Sequence, residues 1–136
     1  MTTDAALVQD SFEHVKPVGD AAGLLLCERL LATAPELRKM FGERVVEQRG
    51  PIMAGITTVI ERLDDPSGLA TTLAKFGGWL ARRGVSEEHY DVFADALLWT
   101  MSHALGHRYT PRVKAAWRNV CGQILNQMRL QSRAAA

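Results

Sequence analysis

Two stretches of this chain constrain its fold more than anything else in it. Apolar residues recur at spacings of three and four in Tyr90, Phe93, Leu97, Thr100, Met101, Ala104 and Leu105, and again in Val113, Ala116, Trp117, Val120, Cys121, Ile124, Leu125 and Met128. At 3.6 residues per turn each set falls on one face of a helix, and that face must be buried against other elements. Alternating strand patterns are absent, so the chain reads as all-α. Start signals fall where further helices should begin: Thr33 before Pro35 and Glu36, Asp65 before Pro66, Ser86 before Glu87, and Thr110 before Pro111. A side-chain oxygen there accepts an amide hydrogen that has no partner within the helix, and proline is tolerated in a first turn.

A length of 136 residues suits one domain, residues 1–136, and no linker, repeat or low-complexity tract divides it. The tail from about residue 131 is expected to fray. No apolar run approaches the ~20 residues needed to span a bilayer, and Met1-Thr2-Thr3-Asp4 opens no secretory pattern. The expectation is a cytoplasmic protein in which Cys27 and Cys121 stay reduced. The net charge of +1 hides an asymmetry, because all 15 acidic side chains lie in residues 1–95, whereas residues 96–136 carry six basic ones and no acid. Arg108, Arg112, Lys114, Arg118, Arg129 and Arg133 are read as pairing with the acidic half or facing a protein partner. Without interleaved exposed aromatics they do not read as a nucleic-acid surface.

Catalytic signatures are missing. There is no glycine-rich phosphate loop, no paired-carboxylate arrangement and no Ser/His/Asp pattern. His103 and His107 stand four apart on a helix, yet two histidines without a third ligand read as a solvated patch. His14 and His89 are isolated, and Cys27 in Leu24-Leu25-Leu26-Cys27 reads as a buried apolar thiol.

The run Arg83-Gly84-Val85-Ser86-Glu87-Glu88-His89-Tyr90, continuing through Leu97-Leu98-Trp99-Thr100 to Thr110-Pro111-Arg112-Val113 and Ala115-Ala116-Trp117, together with Ala34-Pro35-Glu36-Leu37-Arg38 and Met40-Phe41 upstream, resembles the globin family. The likeness is to single-domain bacterial haemoglobins and the globin domain of flavohaemoglobins, and it extends from about residue 6 to residue 128. It implies a globin fold whose cofactor is haem b. It further implies a set of haem-pocket positions: Phe41, wedged against the haem; Cys27, where the family has an oxygen-stabilising tyrosine; Gln48, matching the distal glutamine; and Ile52, lining the distal side. The iron-binding histidine belongs four residues before Gly84, and that residue is Leu80. Tyr90 matches the tyrosine that supports the histidine, but its usual glutamate partner from the last helix has no counterpart, since no acid follows Asp95.

Leucine offers iron no lone pair, and residues 73–88 contain no His, Cys, Met or Tyr to replace it. The resemblance combined with this substitution leads to an expected haem-free globin acting as a sensor, an apolar-ligand-binding module or a protein-interaction module, the last including a homodimer. The alternative is a haem protein that binds oxygen or nitric oxide through unusual ligation, with nitric-oxide detoxification as an associated activity. Gly50-Pro51 and Gly77-Gly78 are expected to interrupt the two helices that would clamp a haem. Trp79, Leu80, Met53 and Met101 are expected to fill the space, with Phe41 and Ile52 keeping their packing.

Overall fold

The computed structural model describes residues 2–40 and 46–135. Among these the regular elements are helices: α1 (Asp4–Phe12), α2 (Gly19–Thr33), α3 (Leu37–Met40), α4 (Arg49–Glu61), α5 (Pro66–Arg82), α6 (Tyr90–Leu105) and α7 (Pro111–Ala135). Short 3₁₀ turns at Lys16–Val18, Val46–Gln48, Glu87–His89 and Gly106–Arg108 join several of them. The all-α expectation is met.

Three of the four expected start signals act as caps. The Asp65 carboxylate accepts from the Gly68 amide at 3.2 Å, and the Thr110 hydroxyl accepts from the Val113 amide at 3.3 Å. Ser86 caps the Glu87–His89 turn in a reciprocal pair, the ring Nδ1 of His89 accepting from the Ser86 amide at 3.2 Å. Such reciprocity satisfies two amides that a helix start otherwise leaves unpaired. Thr33 behaves differently. It ends α2, and its hydroxyl donates back to the Arg29 carbonyl at 2.8 Å. The next helix begins at Leu37 and is only one turn long, so no start of consequence follows Thr33.

The expected helix breaks divide in the same way. α4 begins at Arg49, which leaves Pro51 in the first turn, where its missing N–H has no intrahelical partner to lose. α5, by contrast, runs unbroken through Gly77 and Gly78. Each glycine costs up to ~1 kcal/mol of helix stability, and burial of Leu73 and Leu80 on the same helix outweighs that cost. The tail expected to fray is helical as far as Ala135. Gln131 Nε2 donates to the Ala70 carbonyl at 3.1 Å, and Arg133 pairs with Glu87 at 2.9 Å.

α2 packs against α4 and α6, α7 packs against α1, α5 and α6, and α4 meets α5, so the helices enclose a common interior. Gly23 permits a close crossing of α2 and α4. A β-carbon there would stand 2.8 Å from Met53 Cγ and 3.2 Å from Arg49 Cβ, so only glycine lets α2 and α4 approach this far. At the α1–α7 contact, Phe12 and Trp117 pack with ring centroids 6.2 Å apart. The buried Trp117 indole N–H donates to Ser11 Oγ at 2.9 Å. The charge asymmetry is partly neutralised within the chain: Arg112 pairs with Asp4 at 2.6 Å, Arg129 with Asp91 at 2.9 Å, and Arg133 with Glu87.

Candidate functional site

A cavity of about 100 Å³ lies where α4, α5, α6 and α7 converge. Leu73, Phe76 and Leu80 reach it from α5 because positions three and four apart share a helix face. Ile56 on α4 and Phe93 and Leu97 on α6 close other sides. Its walls are carbon almost throughout, and water entering would find few of the partners it needs. Leu80 is 3% exposed and forms part of this wall, as does Tyr90.

The lone-pair groups on the wall are few. Burial first, and then the neighbouring Glu87, push the pKa of the Tyr90 hydroxyl up against the opposite pull of Ser132 and Arg129 on α7. Cys121 is a thiol whose pKa burial pushes up to about 12, which keeps it protonated. Trp117 is committed to Ser11, and Met128 contributes a thioether. No histidine is part of this wall. His89 is buried but its Nδ1 is held in the Ser86 cap, and His103, on the surface, lies against Trp99 with ring centroids 4.1 Å apart. His14 and His107 are exposed.

Between α4 and α5 the tightest described approach is that of Phe76 to Gly55. The Phe76 ring covers Gly55 so tightly that a β-carbon on Gly55 would lie 2.6 Å from Phe76 Cε1 and 2.7 Å from Cδ1. Phe76 stacks in turn on Trp79, 6.1 Å between centroids, and the Arg83 guanidinium sits 3.7 Å above the Trp79 ring. Sequence reasoning missed Phe76. Its position four residues before Leu80 on the same helix face was the available signal.

The remaining expected site residues are not gathered here. Ile52 is fully buried and contributes nothing to the cavity wall. Cys27 is fully buried on α2, its pKa raised to about 11 by burial first and by Glu28, against Arg49. Gln48 is half-buried at the end of the turn that precedes α4. Phe41 lies outside the described residues. The expected filling by Trp79, Met53 and Met101 is corrected: Met53 packs under Gly23, Met101 is buried elsewhere, and Trp79 lies on the outer side of Phe76. Phe76 and Phe93 project inward instead, because their positions on α5 and α6 face the interior.

Helices enclosing an apolar interior between α4, α5, α6 and α7 define an all-α protein built around a single core. The model of the globin family matches residues 25–128, and the chain belongs to that family. A crystal structure of a hexacoordinated heme protein from an anhydrobiotic tardigrade shares the fold, with a TM-score of 0.86 at 14% identity over 96% of this chain and 93% of that one. A flavohemoprotein of Bordetella pertussis is 28% identical over 132 residues, which is 95% of this chain and 33% of that protein. An anaerobic nitrite reductase of Oryza sativa subsp. indica is 25% identical over 140 residues, 98% of this chain and 97% of that one. The chain thus spans about a third of the Bordetella protein and nearly all of the plant protein. Among the described residues no helix is long and apolar enough to cross a membrane.

Proposed function

We propose that this globin works without haem, as a cytoplasmic module that takes an apolar molecule into its interior and reports its presence to a protein partner or a second copy of itself. The observation that carries this reading is Leu80, a buried leucine on the cavity wall at the position where the family resemblance puts the iron-binding histidine.

Haem is the cofactor that membership of the family implies, and the residues present do not fit it. The cavity is about 100 Å³, whereas an apolar cavity of about 150 Å³ accepts a molecule only the size of benzene. Phe76 lies against Gly55 across the gap between α4 and α5. The lone-pair groups on the wall are a protonated thiol, a thioether and a tyrosine hydroxyl whose pKa burial raises. In its favour, the buried side chains form one apolar cluster and Phe76 lies against Gly55 between α4 and α5, as a stable haem-free globin requires.

A second reading draws on the relatives, whose names include a flavohemoprotein and a hexacoordinated heme protein. In it, haem is held through an unusual ligand and binds oxygen or nitric oxide; detoxifying nitric oxide would need electrons from a source outside the globin. An absorption spectrum separates the two. Protein produced with ample haem and purified should show the tryptophan band and no Soret band; a stoichiometric Soret band overturns the haem-free reading.

A further inference from the structure

The cavity between α4, α5, α6 and α7 sets a limit on the size of what it can hold. Its volume is about 100 Å³, roughly two thirds of the ~150 Å³ at which an apolar cavity takes benzene. Scaled on the carbons of benzene, that leaves room for about four heavy atoms. A long chain, a haem or an aromatic ring is too large. The limit is firm, because Ile56, Leu73, Leu80 and Trp117 on its wall are themselves buried. A core packed by such side chains yields little to an oversized guest.

The wall also fixes the polarity of the guest. Among the described residues no charged or amide side chain lines the cavity. The Trp117 indole N–H is taken by Ser11 Oγ at 2.9 Å, and the Cys121 thiol and Met128 thioether are weak hydrogen-bonding groups. Tyr90 lines the neighbouring groove between α5 and α7 as well as the cavity, and Glu87, which lines the groove and not the cavity, acts on its hydroxyl. A carbonyl or hydroxyl brought into the cavity therefore gives up water and finds no strong partner in exchange. A hydrocarbon gives up nothing of that kind, and it restores dispersion contacts that an unfilled space forfeits.

We propose that the interior ligand is a compact hydrocarbon of about four carbons, selected by size and by the lack of polar partners on the wall. This rests on the haem-free reading and adds the ligand's chemical class and its upper size.

The test uses the full chain with labelled methyl groups and follows the Leu73, Leu80 and Leu97 signals by NMR under 2-methylpropene, acetone or benzene. The first two probes share a shape and differ only in a methylene replaced by oxygen. 2-Methylpropene gives saturable, one-to-one shifts at these leucines. Acetone binds at least about tenfold more weakly, because its carbonyl is left without a partner. Benzene gives no saturable shift, being too large. Ala94→Leu fills the space from α6, where Ala94 lines the cavity, and abolishes the 2-methylpropene response. Both residues favour helix, and circular dichroism verifies that the variant is folded. Leu97→Ala enlarges the same space and admits benzene, so the assignment does not hang on one variant. A stoichiometric Soret band in the purified protein overturns the underlying haem-free reading. A haem-free protein that ignores 2-methylpropene, takes acetone as tightly or binds benzene without any substitution overturns the ligand assignment alone. So does a 2-methylpropene response that survives Ala94→Leu, or a folded Leu97→Ala variant that still refuses benzene.

Discussion

The Phe76 ring rests on the bare Cα of Gly55, nearer than any residue with a side chain at position 55 would allow. That contact brings α4 and α5 together across the space between the two helices that clamp haem in the family. A double-mutant cycle tests it. Gly55→Ala alone should destabilise by about 1–2 kcal/mol, the steric cost exceeding alanine's helix advantage of ~1 kcal/mol. In a Phe76→Ala background the clash is gone, and the same change should be neutral or stabilising. Equal effects in both backgrounds, measured by urea denaturation, would show that Phe76 does not seat on Gly55.

Restoring a histidine tests the reason for the closed interior. Leu80→His should bring weak or partial haem binding, since the ligand returns but Phe76 still occupies the gap beside Gly55. Leu80→His with Phe76→Ala should bind more tightly, at a stability cost of about 2–3 kcal/mol for the half-buried ring that is lost. Haem titration followed at the Soret band distinguishes the two. Stoichiometric tight binding by the single variant would remove Phe76 as the obstacle.

The α1–α7 contact depends on one buried hydrogen bond. Ser11 Oγ accepts from the Trp117 indole at 2.9 Å while donating to the Val8 carbonyl at 3.0 Å. Ser11→Ala removes a small group but strands the indole N–H in the interior, and should cost about 1–3 kcal/mol. A change in urea midpoint near zero would mean that the indole finds another acceptor.

Local signals were legible and paired ones were not. Asp65, Ser86 and Thr110 could be read as caps because a cap concerns three or four consecutive residues. The faces of α6 and α7 could be read because periodicity is a property of one helix. Thr33 misled because its hydroxyl had a closer acceptor in the turn behind it. Gly77 and Gly78 misled because propensity is a small cost per residue that burial elsewhere on α5 overrides. Gly55 and Phe76 lie on different helices, and nothing near either marks the other as its neighbour. The partner of Tyr90 was sought as a glutamate, whereas the α7 residue beside it that lines the same groove is Ser132. Leu80 was legible as a residue but not as a wall, since the cavity it lines requires all four surrounding helices.

The two thiols make stability depend on pH in the alkaline range. Cys27 is held up at about 11 and Cys121 at about 12, in both cases chiefly by burial, whereas an unhindered thiol titrates at 9.0. The folded state therefore keeps protons that the unfolded chain releases, so stability is full below about 9 and falls as pH rises toward the folded values. At pH 10 each thiol should withdraw about 1 kcal/mol. Tyr90 and Tyr109, also raised by burial, act in the same direction at higher pH. Melting temperatures from pH 8 to pH 10.5 should decline more steeply in the native chain than in a Cys27→Ala/Cys121→Ala double variant, and the fully buried Cys27 thiol should not react with a disulfide reagent at pH 8 until the protein is unfolded. Prompt reaction of Cys27 in the folded protein would show that its surroundings open to solvent, and equal pH slopes in the two proteins would remove the thiols as the cause.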